Sequence, residues 1–432
     1  MDRAQPSKSA LGPFILIVTL FFLWGAANNL NDVLIPHFKK AFALTDLQSG
    51  LVQSAFYMGY FFLALPAGLV MRRFGYKTAV IVGLLLFGAG ALLFYPAAQA
   101  QRYGLFLAAL FVIASGLAFL ETSANPLITV MGDPATAERR LNFAQAFNPL
   151  GSITAVALGG HFILSGVELT PAQVAAMAPA ELAAARAVEA QSVQGPYLAI
   201  AAVVLLWALL VAFTRFPDAA ERPAGDAVPT AATGAIRTLL ARPRFAFGVA
   251  AQFFYVGAQV GVWSYMIRYT QHELPGTSEK AAAVYLTASL VAFMIGRFAG
   301  TALMGRVRAA SLLGVFAMIN VALTLIAVLV GGRIGVLALV STSFFMSIMF
   351  PTIFANTLKG LGDLAKTASS FLVMSIIGGA VLTALMGFIS DLSAIDLAIL
   401  VPSACFGFVA WFGLSDRRQG GLDPATFAMA SH

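Results

Sequence analysis

The chain has 432 residues, 59% of them hydrophobic and only 10% charged, with a mean hydropathy of +0.85. A water-soluble fold of this size cannot bury that much apolar side chain, so the composition excludes one and points to a polytopic membrane protein. The net charge of +7 does not indicate a nucleic-acid partner, because most Lys and Arg fall in short connections where they orient a chain in the bilayer.

A hydrocarbon core of about 30 Å takes roughly 20 apolar residues per helix. By that measure twelve spans are predicted, at 11–36, 47–70, 78–98, 104–130, 142–164, 196–215, 245–268, 281–304, 311–330, 334–358, 366–390 and 394–413. Helices satisfy their own backbone, and no run alternates with period two, so the expected fold is an all-α polytopic bundle rather than a barrel. The first run is read as an uncleaved span, since it carries Asn28, Asn29, Asn31 and Asp32 and many spans follow it. Arg72, Arg73, Lys77, Arg139 and Arg140 belong to the basic-rich side, which puts both termini in the cytoplasm.

The longest connection on that side, 216–244, is rich in Pro, Gly, Ala and Thr and marks a linker. It divides the chain into an N-terminal six-helix half, 1–215, and a C-terminal half, 245–432. The outer connection 165–195 is expected to form short surface helices, with Thr170 before Pro171 as a helix start. The halves read as distant repeats. GLVMRRFGYK at Gly68–Lys77 corresponds to GTALMGRVR from Gly300, and ETSANP at 121–126 aligns with MSIMFP at 346–351, setting Glu121 opposite Met346.

Two carboxylates lie within apolar runs, Asp32 in FLWGAANNLNDVLIP and Glu121 in ASGLAFLETSANPLITV. A charge at a helix centre costs about 2.5–3.5 kcal/mol on insertion scales, so a fold keeps one for a use. Glu121 falls about 17 residues into its span, roughly 25 Å along a helix. Burial there penalises the ionised form and favours binding and releasing a proton; the structural alternative is a permanent pair with Arg297. The expected coupling ion is therefore a proton, with no other cofactor.

Trp24, Asn28 and Asp32 follow one another at i, i+4 and i+8 on one helix face. An aromatic plane beside an amide and a carboxylate suits a sugar, whose C–H face packs on the ring while its hydroxyls bond the polar groups. Gln145 and Asn148 lie one turn apart on the fifth span, with Asn142 one turn earlier. On the seventh span Gln252, Tyr255, Gln259 and Trp263 form a polar and aromatic stripe expected to line a cavity. Thr352 and Asn356 make a weaker version on the tenth, while Trp207 and Trp411 are expected to pack or face lipid. Arg297, in FMIGRFAG, is the only basic residue placed at depth. It is a candidate to bind a sugar hydroxyl, pair with a carboxylate or latch the halves.

No nucleophile–base pair or metal cluster is visible, so an enzyme is not expected; the single cysteine, Cys405, allows no intramolecular disulfide. Three rivals to proton–sugar symport stay open at this point. They are a proton-driven exporter of the same fold, a sodium-coupled hexose carrier using oxygens around Asn28, Asn31 and Asp32, and a non-transporting sugar receptor.

The segments FFLWGAANNLND, LVQSAFYMGYF, GLAFLETSANP, LNFAQAFN, VGAQVGVWSYMIRY, IGRFAGT and SSFLVMSIIGG resemble, in order and in span, the L-fucose:proton symporter family of the major facilitator superfamily. The likeness runs from the first span to the twelfth. GLVMRRFGYK departs from the superfamily pattern in carrying Arg72 where an aspartate is usual. The resemblance implies two six-helix bundles around a central cavity and transport by alternating access. It implies Asp32 and Glu121 as the protonatable pair, Asn148 and Gln145 near the sugar, and Trp24 and Trp263 flanking it. Related branches carry glucose and galactose. The setting implied is a bacterial inner membrane, with the lipid bilayer and a small sugar as partners and a monomer as the working unit.

Overall fold

The structure is a computed structural model, and it describes residues 12–26, 38, 42, 46–162, 177–216 and 232–419. The described residues are overwhelmingly helical and contain no strand. They form two compact units, Met1–Gly132 with Phe147–Val228 and Asp133–Ala146 with Pro229–His432.

In the first unit α1 covers Gly12–Ala26. The element α2, Asp46–Ala100, takes in two predicted spans as two helices that meet at a kink: Gly75, with φ 84 and ψ 172, is not helical. A positive φ of that kind is open to glycine at no steric cost. Its stretch Ala55–Ala100 is 46 residues, enough for two crossings of roughly 20 residues each. Helix α3, Tyr103–Val130, packs along α2. A Cβ on Gly116 would come 2.6 Å from the Gly83 carbonyl oxygen, so the two backbones touch where both residues lack side chains. Helices α5 (Phe147–Phe162), α6 (Pro179–Gln191) and α7 (Gln194–Phe213) complete the unit. Trp207 of α7 donates its indole N–H to the Leu16 carbonyl of α1 at 3.1 Å, a packing role. The expected surface helix of the 165–195 connection is α6; Thr170 and Pro171 lie outside the described residues.

The second unit includes α4 (Ala137–Gln145), although this segment precedes α5 in the chain. It continues with α8 (Ala232–Leu240), α9 (Pro243–Glu273), α10 (Glu279–Leu303), α11 (Ala309–Leu329), α12 (Gly332–Met346), α13 (Met349–Leu358), α14 (Ala365–Met374), α15 (Gly378–Leu392), α16 (Ile395–Ala398) and α17 (Leu400–Gln419). Helix α8 lies inside the predicted linker, whose residues 217–231 are outside the described ones.

Nine helices among the described residues are long and apolar enough to cross a membrane. The double-length Ala55–Ala100 supplies a further span, and Gly12–Ala26 and Phe147–Phe162 two shorter ones. That count agrees with the twelve expected. Where the structure departs from the sequence reading is in continuity. The predicted span 142–164 breaks after Gln145, 334–358 breaks at Ser347–Ile348, and 366–390 passes through a 3₁₀ turn at Ser375–Ile377. Broken helices leave backbone groups open at membrane depth, and carriers use such groups.

Candidate functional site

Within the first unit, Glu121 lies in α3, in a stretch from Ile113 to Ile128 with no exposed residue, and is itself 6% exposed. Tyr60 of α2 presents its hydroxyl toward this carboxyl group. The backbone around it is also held, since Asn125 Nδ2 donates to the Glu121 carbonyl at 2.9 Å. A carboxyl so placed is neutral or ionised according to the proton it carries, not according to surface ions, which is the behaviour a coupling group needs. The sequence reading did not place Tyr60 beside Glu121, because a tyrosine in an apolar run is ordinary and nothing in LVQSAFYMGYF singles it out.

Trp24 is buried on α1 and stacks on Phe21, with ring centroids 5.1 Å apart. Its neighbour Gly25 lets α1 approach α5: a Cβ there would fall onto the Asn148 carbonyl, and one on Gly151 would fall onto the Phe22 carbonyl. Ser152 Oγ closes this crossing, 3.2 Å from the Gly25 carbonyl and 3.1 Å from that of Asn148. The structure thus brings Asn148, half-buried, to the turn of α1 that carries Trp24. Asn28 and Asp32 lie outside the described residues.

In the second unit the centre of the arrangement is Arg297 on α10, 4% exposed. Its Nε donates to the Ser347 carbonyl at 2.7 Å, and its Nη1 to the Gln145 carbonyl at 3.0 Å and to Gln145 Oε1 at 3.3 Å. Phe293 lies under the guanidinium, 4.6 Å from ring centroid to Cζ, a cation–π contact. Both carbonyls stand at helix ends, where α4 and α12 stop, and both have lost the donor of a continuing helix for a covalent reason. In an α-helix the N–H of residue i bonds the carbonyl of i−4. Residue 149 is Pro149 and residue 351 is Pro351, and proline has no N–H. Arg297 therefore supplies the missing donors at 145 and 347, and its charge meets the negative ends of two helix dipoles.

Around this centre Asn142 Nδ2 bonds Thr352 Oγ1 at 3.1 Å and the Glu138 carbonyl at 2.9 Å, and Glu138 pairs with Lys359 at 3.3 Å. The stripe on α9 is only partly exposed. Gln252 and Tyr255 are fully buried, while Gln259 and Trp263 are half-buried. Trp263 donates its indole N–H to Ser343 Oγ at 3.1 Å and packs edge-on to Phe293 with centroids 5.1 Å apart. Ser343 in turn hydrogen-bonds Ser289. Among the described residues, neither amide atom of Gln252 has a hydrogen-bond partner, and Asn356 Nδ2 lacks one too. A buried primary amide offers two donors and two acceptor sites, and leaving such a group unpaired costs about 1–3 kcal/mol. Vicinal hydroxyls of a sugar are the complementary chemistry. Trp411 is 48% exposed and contacts Phe247 and Phe408, as expected of a lipid-facing residue.

The sequence model of the Major Facilitator Superfamily matches residues 16–384. The chain is 46% identical over 411 residues to the L-fucose-proton symporter of Escherichia coli, covering 95% of this chain and 94% of the relative. It is 37% identical over 405 residues to a glucose/galactose transporter of Brucella abortus, covering 93% of each. The crystal structure of the Escherichia coli major facilitator transporter FucP in the outward conformation superimposes with a TM-score of 0.88 at 46% identity, covering 95% of this chain and 99% of that one.

Proposed function

The chain belongs to the major facilitator superfamily, and from that premise we propose that it imports L-fucose or a related hexose together with a proton. The setting is the bacterial inner membrane with both termini in the cytoplasm, the chain works as a monomer, and it needs no cofactor and catalyses no reaction. The halves 1–215 and 245–432 are joined in this reading by the 216–244 connection. The observation that carries the proposal is Glu121, a carboxyl shut inside α3 in a stretch with no exposed residue.

A proton loads on Glu121 or Asp32 from outside and removes the cost of enclosing a charge. The neutral sugar then binds, Trp24 and Trp263 offering planes to its C–H faces, and Asn28, Asn148, Gln145, Gln252, Tyr255 and Gln259 bonding its hydroxyls. Arg297 acts through Gln145, holding that side chain in place. Alternating access releases sugar and proton together inside. A membrane potential of 100 mV supplies about 2.3 kcal/mol per charge, and at 1.36 kcal/mol per decade that is roughly a 50-fold accumulation of a neutral sugar.

The relatives include carriers named for L-fucose and for glucose and galactose, so the test must separate these sugars. External pH is followed in a weakly buffered suspension of de-energised cells making the protein. L-fucose is expected to alkalinise the medium, and Glu121→Gln to abolish the response. A response to D-glucose or D-galactose alone would move the substrate to the other branch. Silence with all three sugars, with the protein in the membrane, would overturn proton–sugar symport and leave sodium coupling or export to be tested.

A further inference from the structure

We propose that the end of α9 carries a binding site for a divalent transition cation, with zinc as its occupant, built from His272, Glu273 and Asp396. The site is independent of the transport reading. Its three residues come from the last turn of α9 and from α16, more than a hundred positions later, and each offers one ligand atom within 4.8 Å of the others. His272 Nε2 lies 3.3 Å from Asp396 Oδ2.

The two carboxylates are held together by the fold. Glu273 accepts the backbone N–H of Gly332. That N–H is presented by consecutive glycines, Gly331 at φ 62 and Gly332 at φ 55. A Cβ on Gly331 would stand 2.6 Å from Glu273 Oε2, so a side chain there would push the carboxylate out of its present place. Asp396 Oδ1 is buried without a partner among the described residues. Among those residues, neither acid has a lysine or arginine within salt-bridge distance, and His272 is the partner of Asp396. Two neighbouring carboxylates need a cation or a shared proton between them. An imidazole with two carboxylates is the donor set that suits zinc, with a fourth position open to water. Calcium, which takes six to eight oxygens, is poorly served by it. Zinc bonds of about 2.0–2.2 Å require the ligand atoms to draw in by about an ångström. His272 and Asp396 are free to do so, being 51% and 28% exposed, and that exposure is also the entry path.

The test is a titration of the full chain, purified in detergent without a polyhistidine tag, with zinc chloride. One saturable zinc per chain is expected, with at least tenfold weaker binding in His272→Ala and in Asp396→Asn. The unfolding temperature of the metal-free variants should match the parent's. Cobalt(II) on the unaltered chain gives a check that needs no variant, since visible bands typical of tetrahedral nitrogen and oxygen ligation should appear and be displaced by zinc. Absence of saturable binding would overturn the site and point to a shared proton between the acids. Equal affinity in the variants, or calcium binding as tightly as zinc, would overturn it as well.

Discussion

Arg297 is a buried cation whose counter-groups are carbonyl oxygens. Charged hydrogen bonds are worth about 1.5–3 kcal/mol each, and the two carbonyls need donors set at the angle of a planar fork, which lysine does not have. Arg297→Lys is therefore expected to lower the unfolding temperature in detergent by an amount equivalent to at least one such bond; an unchanged temperature would refute the double cap. Gln252 poses the opposite case. Because both its amide atoms are unpaired, Gln252→Leu should leave the sugar-free protein as stable or more stable. The same substitution should weaken sugar binding several-fold by equilibrium titration. If it destabilises the empty protein and spares the sugar, the amide is structural. Glu121 was legible in the sequence because charge in an apolar run is costly and conspicuous. The place of Tyr60 was not, since it comes to Glu121 only once α2 is laid against α3.

At the scale of helices, hydropathy reported where spans lie but not how they are interrupted. The turn at Gly75 joins two helices with no intervening loop, because a single glycine can take a positive φ. The breaks after Gln145 and at Ser347 follow from Pro149 and Pro351, and that signal was present: each proline leaves a carbonyl four residues earlier without its donor. What could not be read was which side chain would answer, as Arg297 is 152 positions from one of these carbonyls and 50 from the other. The crossing of α1 and α5 depends on Gly25 in a similarly nonlocal way. Gly25→Val would drive its side chain into the Asn148 carbonyl and cost about 1–3 kcal/mol as overpacking does. Reduced thermal stability with loss of sugar uptake is the expected result, measured on purified protein and on cells; uptake at the parental rate would show that the crossing tolerates a wider separation.

For the molecule as a whole, the match to a solved carrier extends over 95% of the chain at a TM-score of 0.88, and the proposed sugar site includes buried polar groups without partners among the described residues. A ligand at a hundred times its dissociation constant adds about 2.7 kcal/mol of stability. The preferred sugar should thus raise the unfolding temperature of the parent and not of Gln252→Leu, and scanning a hexose panel this way ranks substrates without a transport assay. An equal rise in both would remove Gln252 from the site. The double cap on Arg297 reaches further, into how such chains can diverge. A guanidinium that replaces two missing backbone donors ties three distant codons together: a lineage that loses one proline regains an N–H there and relaxes the demand on the arginine. Across homologous sequences, positions 149, 297 and 351 should vary as a set, with lysine or neutral residues at 297 concentrated where one of the prolines has gone.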